Sequence, residues 1–346
     1  ISHHRHDMNP DTNRPDDALA KWLINNVPDC DGRYKLDKFS SGQSNPSFLL
    51  TCGTEQYVLR RKPAGQLLAS AHAVDREFRL IQALADTDIP VPRAIALCDD
   101  DSVIGSMFYI MSFEPGDIIW NPALPEVRPE VRPEYYCALV TTLAKLHSVN
   151  HAAVGLSDFG RPGNYYQRQL SRWTSQYRAS ETEGIAAMDQ LIIWLERHMP
   201  DDDGQCSIIH GDFRIDNVMF HSGEPRIRAV LDWELATLGH PMADLAYYLM
   251  ALRLPGSGEI KGLQGLDLKA LNIPDEEALI DLYCQERCIS KPLNWNFYMA
   301  FSFFRLAAIL QGVYKRGLDG NASSERAIRM GALVAPLAEM GLASVR

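Results

Sequence analysis

Asp212, Asn217 and Asp232 are three oxygen-bearing side chains whose order and spacing suit the chemistry of phosphoryl groups. Residues 208–209 are an apolar pair that runs into a polar loop, His210-Gly211-Asp212, and Asn217 follows shortly after. Residues 218–220 and 227–231 read as two short strands. The residues between them, His221-Ser222-Gly223-Glu224-Pro225, are turn formers, so the pattern predicts a hairpin. In an antiparallel hairpin the start of one strand lies beside the end of the other, which brings Asn217 and Asp232 together. An amide oxygen and a carboxylate at one rim suit Mg²⁺, which takes oxygen ligands and shares them with substrate phosphates. Asp212 enters the same rim, where a carboxylate can accept the proton of an attacking hydroxyl. Taken singly, each acid reads as a turn or cap residue; the ordered set in its strand context carries the chemical reading. A base, a metal amide and a metal carboxylate are what phosphoryl transfer asks of a protein, because that chemistry rests on positioning and charge neutralisation.

The run His210-Gly211-Asp212-Phe213-Arg214-Ile215-Asp216-Asn217 resembles the catalytic loop of protein kinases, with glycine at their arginine position. Asp232-Trp233-Glu234 stands where their metal-binding triplet would be. With this variant loop the chain resembles the aminoglycoside phosphotransferase family of small-molecule kinases, which includes choline-kinase-like members. It is most similar to the kinase-like domain that some eukaryotic proteins carry fused to an acyl-CoA dehydrogenase. Residues 39–45, 57–63, 160–165, Arg172-Trp173 and 232–237 carry that similarity. The resemblance implies an α+β, protein-kinase-like two-lobed fold, with a small β-rich N-lobe over residues 16–113 and a larger, mostly helical C-lobe over 114–346. It implies ATP and Mg²⁺ as cofactors, Asp212 as catalytic base, and Asn217 and Asp232 as metal ligands. The acceptor would be a small-molecule alcohol, a hydroxyacyl-CoA thioester first. Aminoglycosides or other small alcohols are the second reading, and a non-catalytic kinase-like binding protein the third.

The elements before the loop must hold a nucleotide. Residues 39–45, Phe-Ser-Ser-Gly-Gln-Ser-Asn, form a small-residue turn between strand-like runs at 34–39 and 47–52. Such a turn serves as an ordinary hairpin connection, or it lets backbone N–H groups at Ser41 and Gly42 approach phosphates. Residues 56–61 alternate as a strand with Val58 and Arg60 on one face. By the resemblance Arg60 takes the place of the kinase lysine, with Arg61 and Lys62 as competing candidates, and Glu77 pairs with it. Residues 71–84 are helical by their stripe of Val74, Phe78, Ile81 and Leu84. Residues 95–97 and 108–113 read as strands. Met111 and Phe113 border the hinge that, by resemblance, receives the adenine.

Helical spacing recurs at 17–27, 133–147, 167–177, 186–198, 244–252, 278–288, 295–317 and 324–340. His147 and Asp244 read as structural, Asp244 by analogy with a residue that braces the catalytic loop. The segment 160–178 carries Arg161, Arg168, Arg172 and Arg178 among aromatics. It is either a solvated basic face or a grip for anionic groups of the acceptor, with Arg168, Arg172 and, beside Asp232, Glu234 as candidate acceptor contacts.

Bulk properties narrow the partners. A length of 346 residues allows one large or two smaller domains, and a net charge of −10 disfavours nucleic acid and anionic membranes as main partners. Seven cysteines without a C-x-x-C pair read as reduced, which points to the cytoplasm. No segment reads as a membrane span, since the best apolar run carries Arg305 at its centre. Residues 1–15, with His3, His4 and His6, read as a disordered tail or an expression remnant. Oligomeric state is not assigned.

Overall fold

Alternation of apolar residues on either side of a tight turn at Gly53 builds the first hairpin. Strands Ser47–Cys52 (β2) and Glu55–Arg61 (β3) pair antiparallel from Ser47 opposite Arg60 to Cys52 opposite Glu55. Gly53 has φ +60°, a conformation that glycine adopts without Cβ strain. The computed structural model describes residues 17–39, 45–63, 74–320 and 324–345. The expected phosphate turn, with Ser41 and Gly42, and the N-terminal tail of residues 1–15 lie outside them.

Lys35–Lys38 (β1), Ala94–Cys98 (β4) and Phe108–Ser112 (β5) complete a five-stranded antiparallel sheet in the order β1-β2-β3-β5-β4. The period of two sorts its faces. Leu50, Cys52, Tyr57, Leu59, Phe108 and Ile110 pack with Leu19 and Leu23 of the helix Ala18–Asn26 (α1) and with Val27, which ends it. The side chain of Asp17 caps that helix by accepting the N–H groups of Leu19 and Ala20. The other face presents Arg60 opposite Tyr109, and Tyr109 meets Phe78 of the helix Val74–Leu84 (α2) with ring centroids 5.8 Å apart. Cys30 and Cys52 join in a disulfide within the α1 cluster. The expectation of uniformly reduced cysteines is thereby corrected; Cys98, Cys137, Cys206, Cys284 and Cys288 are free.

The chain divides into two compact units between Pro115 and Gly116, with residues 87–90 belonging to the second. The sequence had suggested a division after residue 113. In the second unit Asp117–Ile118 (β6), Val218–Phe220 (β8) and Ile227–Val230 (β9) form a three-stranded sheet in the order β6-β8-β9, and Ser207–Ile209 (β7) pairs with Thr237–Gly239 (β10). Around them lie Arg132–Ser148 (α3), Tyr165–Ser180 (α4), Ala186–Arg197 (α5), Met242–Leu249 (α6), Glu276–Arg287 (α7), Trp295–Leu318 (α8), Ser324–Gly331 (α9) and Val334–Ala343 (α10). The single helix expected over 324–340 is two. Pro336 sits in the first turn of α10, where its missing N–H costs nothing, but in a continuous helix its ring would strike the carbonyl of residue 332.

Helix α8 runs through the centre of this unit, packed by α4, α5, α6, α9 and α10. By length and composition it is able to cross a bilayer, which corrects the reading that Arg305 disqualifies it. Its apolar window is 78% buried inside the unit, so the apolarity serves the core.

Candidate active site

The loop that follows β7 is held at several of its backbone polar groups. His210 is fully buried. Its Nδ1 accepts the N–H of Asp212 at 3.2 Å, which leaves Nε2 to donate to the Leu231 carbonyl at 2.8 Å. That ties the loop to the end of β9. Gly211 has φ +83°, and a Cβ there would lie 2.5 Å from the Leu235 carbonyl oxygen. Glycine is therefore required at this point by both backbone and space.

Asp244 of α6, 1% exposed, accepts the His210 N–H at 2.5 Å and the Gly211 N–H at 2.8 Å. Its carboxylate also meets His147 Nε2 at 3.3 Å, and His147 Nδ1 meets the Tyr283 hydroxyl at 2.7 Å. Burial alone would raise the Asp244 carboxyl, but the hydrogen bond from His147 and the loop N–H groups hold it below the usual carboxylate range. Burial drives His147 down against the pull of that carboxylate, so the ring stays neutral over a wider range. Both residues are structural, as the sequence suggested. From below, Arg305 of α8 donates Nη2 to the Gly211 carbonyl at 2.6 Å.

The hairpin then brings the remaining parts together. Val218 faces Val230, and the ladder continues with the Leu231 N–H donated to the Asn217 carbonyl at 2.9 Å. Asn217 therefore lies beside the end of β9 and next to Asp232. Its Nδ2 donates to the Asp212 carbonyl at 2.9 Å and to Asp212 Oδ2 at 3.1 Å, which orients that carboxylate and leaves Oδ1 of the amide for another partner. Asp232 takes the left-handed conformation, φ +64°, which aspartate tolerates better than most residues. Trp233 anchors the turn, its Nε1 donating to the Val230 carbonyl at 3.0 Å and its ring 4.6 Å from that of His210.

Two charged residues inside the motif were not singled out from sequence. Arg214 Nη2 meets Asp216 at 3.0 Å, and Arg214 Nε lies 3.6 Å from Asp212 Oδ1. Burial opposes the Arg214 charge, yet Asp212 foremost, with Asp216 and Asp232, keeps its pKa well above the ordinary value. Asp216 is pushed up by burial and by the charges of Asp212 and Asp232, against the pull of Arg214. Asp212 and Asp216 thus share the Arg214 guanidinium. Burial foremost, with the charge of Asp212, pushes up the phenol of Tyr247 on α6.

Among the described residues no three His, Cys, Asp or Glu side chains converge to hold a metal by themselves. The donors present, Asn217 Oδ1 and the Asp232 carboxylate, fit Mg²⁺, whose other ligands come from phosphates and water.

In the first unit Arg60 Nε lies 3.0 Å from Glu77 Oε2, with the side chains 11% and 2% exposed. Arg61 instead lies 6.0 Å over the Phe48 ring. Met111 is buried on β5, and Phe113 follows that strand, half-buried. Of the candidate acceptor contacts, Glu234 lies in the short turn Trp233–Leu235 after Asp232. Arg168 donates to the carbonyls of Arg161 and Pro162, closing the loop before α4. Arg172 is exposed, its guanidinium 5.7 Å from the Trp173 ring, whereas Arg178 pairs with Glu181 and Asp189. The basic segment is therefore divided among three tasks.

Residues 35–272 match the family model of the phosphotransferase enzyme family, APH. The chain belongs to that family. It is 47% identical to acyl-CoA dehydrogenase family member 10 of Mus musculus over 94% of this chain and 31% of that protein. It is 46% identical to family member 11 of Rattus norvegicus over 94% of this chain and 42% of that protein. The phosphotransferase thus spans well under half the length of these curated relatives. Among solved structures, a candidate aminoglycoside phosphotransferase from Ralstonia eutropha JMP134 matches with TM-score 0.86 and 47% identity over 94% of this chain and 97% of that one. Aminoglycoside phosphotransferase APH(4)-Ia, in a ternary complex with ADP and hygromycin B, matches at 16% identity with TM-score 0.63 over 94% and 98%. The fold is the kinase-like one of aminoglycoside phosphotransferases, with a small antiparallel sheet ahead of a helical unit.

Proposed function

We propose that this phosphotransferase is an ATP- and Mg²⁺-dependent kinase that phosphorylates the hydroxyl of a small acceptor, a hydroxyacyl-CoA thioester. The observation that carries the reading is that Asp212 and Asn217 meet at the hairpin end that Asp232 follows. Asn217 Oδ1 and the Asp232 carboxylate would hold Mg²⁺, which neutralises charge on the β- and γ-phosphate oxygens when bound. Asp212, oriented by Asn217 Nδ2, receives the acceptor hydroxyl. The hydroxyl oxygen bonds to the γ-phosphorus, the bond to the β–γ bridging oxygen breaks, ADP leaves, and the proton passes to Asp212. Arg60, paired with Glu77, would bind phosphates, and the strand end at Met111 and Phe113 the adenine.

The acceptor class draws on the relatives' designation as acyl-CoA dehydrogenase family members. An aminoglycoside acceptor is the second reading, favoured by the designation of the Ralstonia protein. Incubation with Mg-ATP and a panel of hydroxyacyl-CoAs, free hydroxy acids and aminoglycosides, read by mass spectrometry, separates the two. Phosphate on thioesters supports the first, phosphate on aminoglycosides the second, and phosphate on none removes both. Asp212→Asn is expected to lower kcat by roughly 10²–10⁴-fold with little change in ADP affinity. Asp232→Ala is expected to abolish the Mg²⁺ dependence of nucleotide binding, measured by calorimetry.

A further inference from the structure

Alternate residues of the loop after β7 differ in kind. Phe213 and Ile215 are buried and pin the backbone, whereas Asp212, Arg214 and Asp216 are only partly covered. Arg214 is extended, and the short helical turn Ile215–Asn217 then curls Asp216 back beside it. One guanidinium thereby reaches two carboxylates. Its Nη2 donates to Asp216 Oδ2 at 3.0 Å, and its Nε faces Asp212 Oδ1 at 3.6 Å. The second separation is too long for a hydrogen bond, and that Nε–H is sealed from solvent without a partner.

These contacts do little for the fold. The Arg214 side chain is 40% exposed and each aspartate 22%, and ion pairs so near solvent add little stability. An unmet donor sealed from water is itself a cost. What the arrangement provides is aim. Asn217 Nδ2 already holds Asp212 Oδ2 at 3.1 Å. A shift of about 0.6 Å in the guanidinium or the carboxylate would bring Nε–H to ordinary bonding distance from Oδ1. With both oxygens held, the carboxylate cannot turn, and each oxygen keeps a lone pair for an incoming hydroxyl. The planar fork lets one side chain hold two carboxylates at once, which an ammonium, a point charge, does not reproduce.

We infer that Arg214 is a positioning residue for the base, clamped by Asp216 and closing on Asp212 Oδ1 once nucleotide and acceptor are bound. This rests on the kinase reading above and assigns no acceptor class. Asp216 acts only through Arg214, and Arg214 only through Asp212. The test is steady-state transfer from Mg-ATP to 4-hydroxybutyryl-CoA, 4-hydroxybutyrate and hygromycin B, beside calorimetry with Mg-ADP. Arg214→Met should lower kcat roughly 10–10²-fold, with KM for ATP and ADP affinity within about twofold. Arg214→Lys should stay at least about fivefold below the wild type, because it cannot span both carboxylates. Asp216→Ala should lower kcat about tenfold alone and cost nothing further when added to Arg214→Met. In Arg214→Ala, ethylguanidinium in the buffer should restore turnover and ethylammonium should not, a response that a merely structural role would not give.

A methionine variant within about threefold of wild-type kcat, or additive losses in the double variant, would overturn the inference. So would a loss of ADP affinity beyond about tenfold, because the guanidinium would then grip phosphate rather than the base. If no variant folds, the wild type decides by nuclear magnetic resonance with isotope-labelled arginine. The Arg214 Nε–H signal should move downfield and exchange more slowly when Mg-ADP and acceptor are added together; an unchanged signal overturns the inference. A wild type that phosphorylates none of the acceptors would sink the kinase reading, and the inference with it. Transfer that survives the loss of Arg214 would sink the inference alone.

Discussion

Asp244 satisfies two backbone N–H groups of the loop after β7 and one imidazole with a single carboxylate. Replacing it by alanine leaves those donors without an acceptor in a dry interior, at about 1–3 kcal/mol for each backbone group. Asp244→Ala is therefore expected to lose about 3–5 kcal/mol in urea denaturation, with activity lost alongside. The histidines add a pH dependence. His147 and His240 are both lowered by burial from the ordinary 6.5, each against a neighbouring aspartate. The unfolded chain therefore binds more protons than the native one as pH falls below about 6.5. Their contribution is complete above that value and is lost on acidification, by at most about 1.4 kcal/mol per pH unit for each ring. Asp244, held below 3.8, keeps its contribution until the pH falls through that lower range. His147→Gln should flatten the slope of stability between pH 6.5 and 5. The role of Asp244 was legible because a resemblance supplied it. Arg305 was read only as a charge interrupting an apolar run, since its partner is a carbonyl 94 residues away and no local pattern announces such a bond.

Strand and helix periodicity made the Arg60–Glu77 pair legible. Period two puts Arg60 on the sheet face with Tyr109, and the helical stripe that buries Val74, Ile81 and Leu84 also turns Glu77 inward. Glu77→Ala should cost about 3 kcal/mol, because one partner of a nearly buried ion pair is removed. A double variant, Arg60→Met with Glu77→Leu, should recover much of that stability yet bind ATP more weakly. Denaturation and calorimetry on the same two proteins would separate structural support from nucleotide binding. The catalytic hairpin was equally legible, since its turn residues and apolar runs agree. The break between α9 and α10 was written in Pro336, but the apolar spacing on both sides of it continues in phase and hid the interruption.

Taken whole, the chain carries 346 residues with a net charge of −10, and cysteines too scattered for their partners to be deduced by spacing. Cys30 and Cys52 meet because α1 folds back over β2, a tertiary event. Thiol titration in denaturant without reductant should find five reactive cysteines, seven less the bonded pair, and seven after reduction. Closing a loop across 22 residues contributes about 3 kcal/mol by chain entropy, so reduction should lower the melting temperature. The second unit has a different long-range dependence: a loop at residues 210–217 relies on Asp244, Tyr283 and Arg305, all of them later in the chain. At translation rates of about 5–20 residues per second, Arg305 leaves the ribosome roughly 5–20 s after Gly211. During that interval the nascent polypeptide already displays its most recognisable motif but lacks the guanidinium that steadies it, so competence must arrive late in biosynthesis.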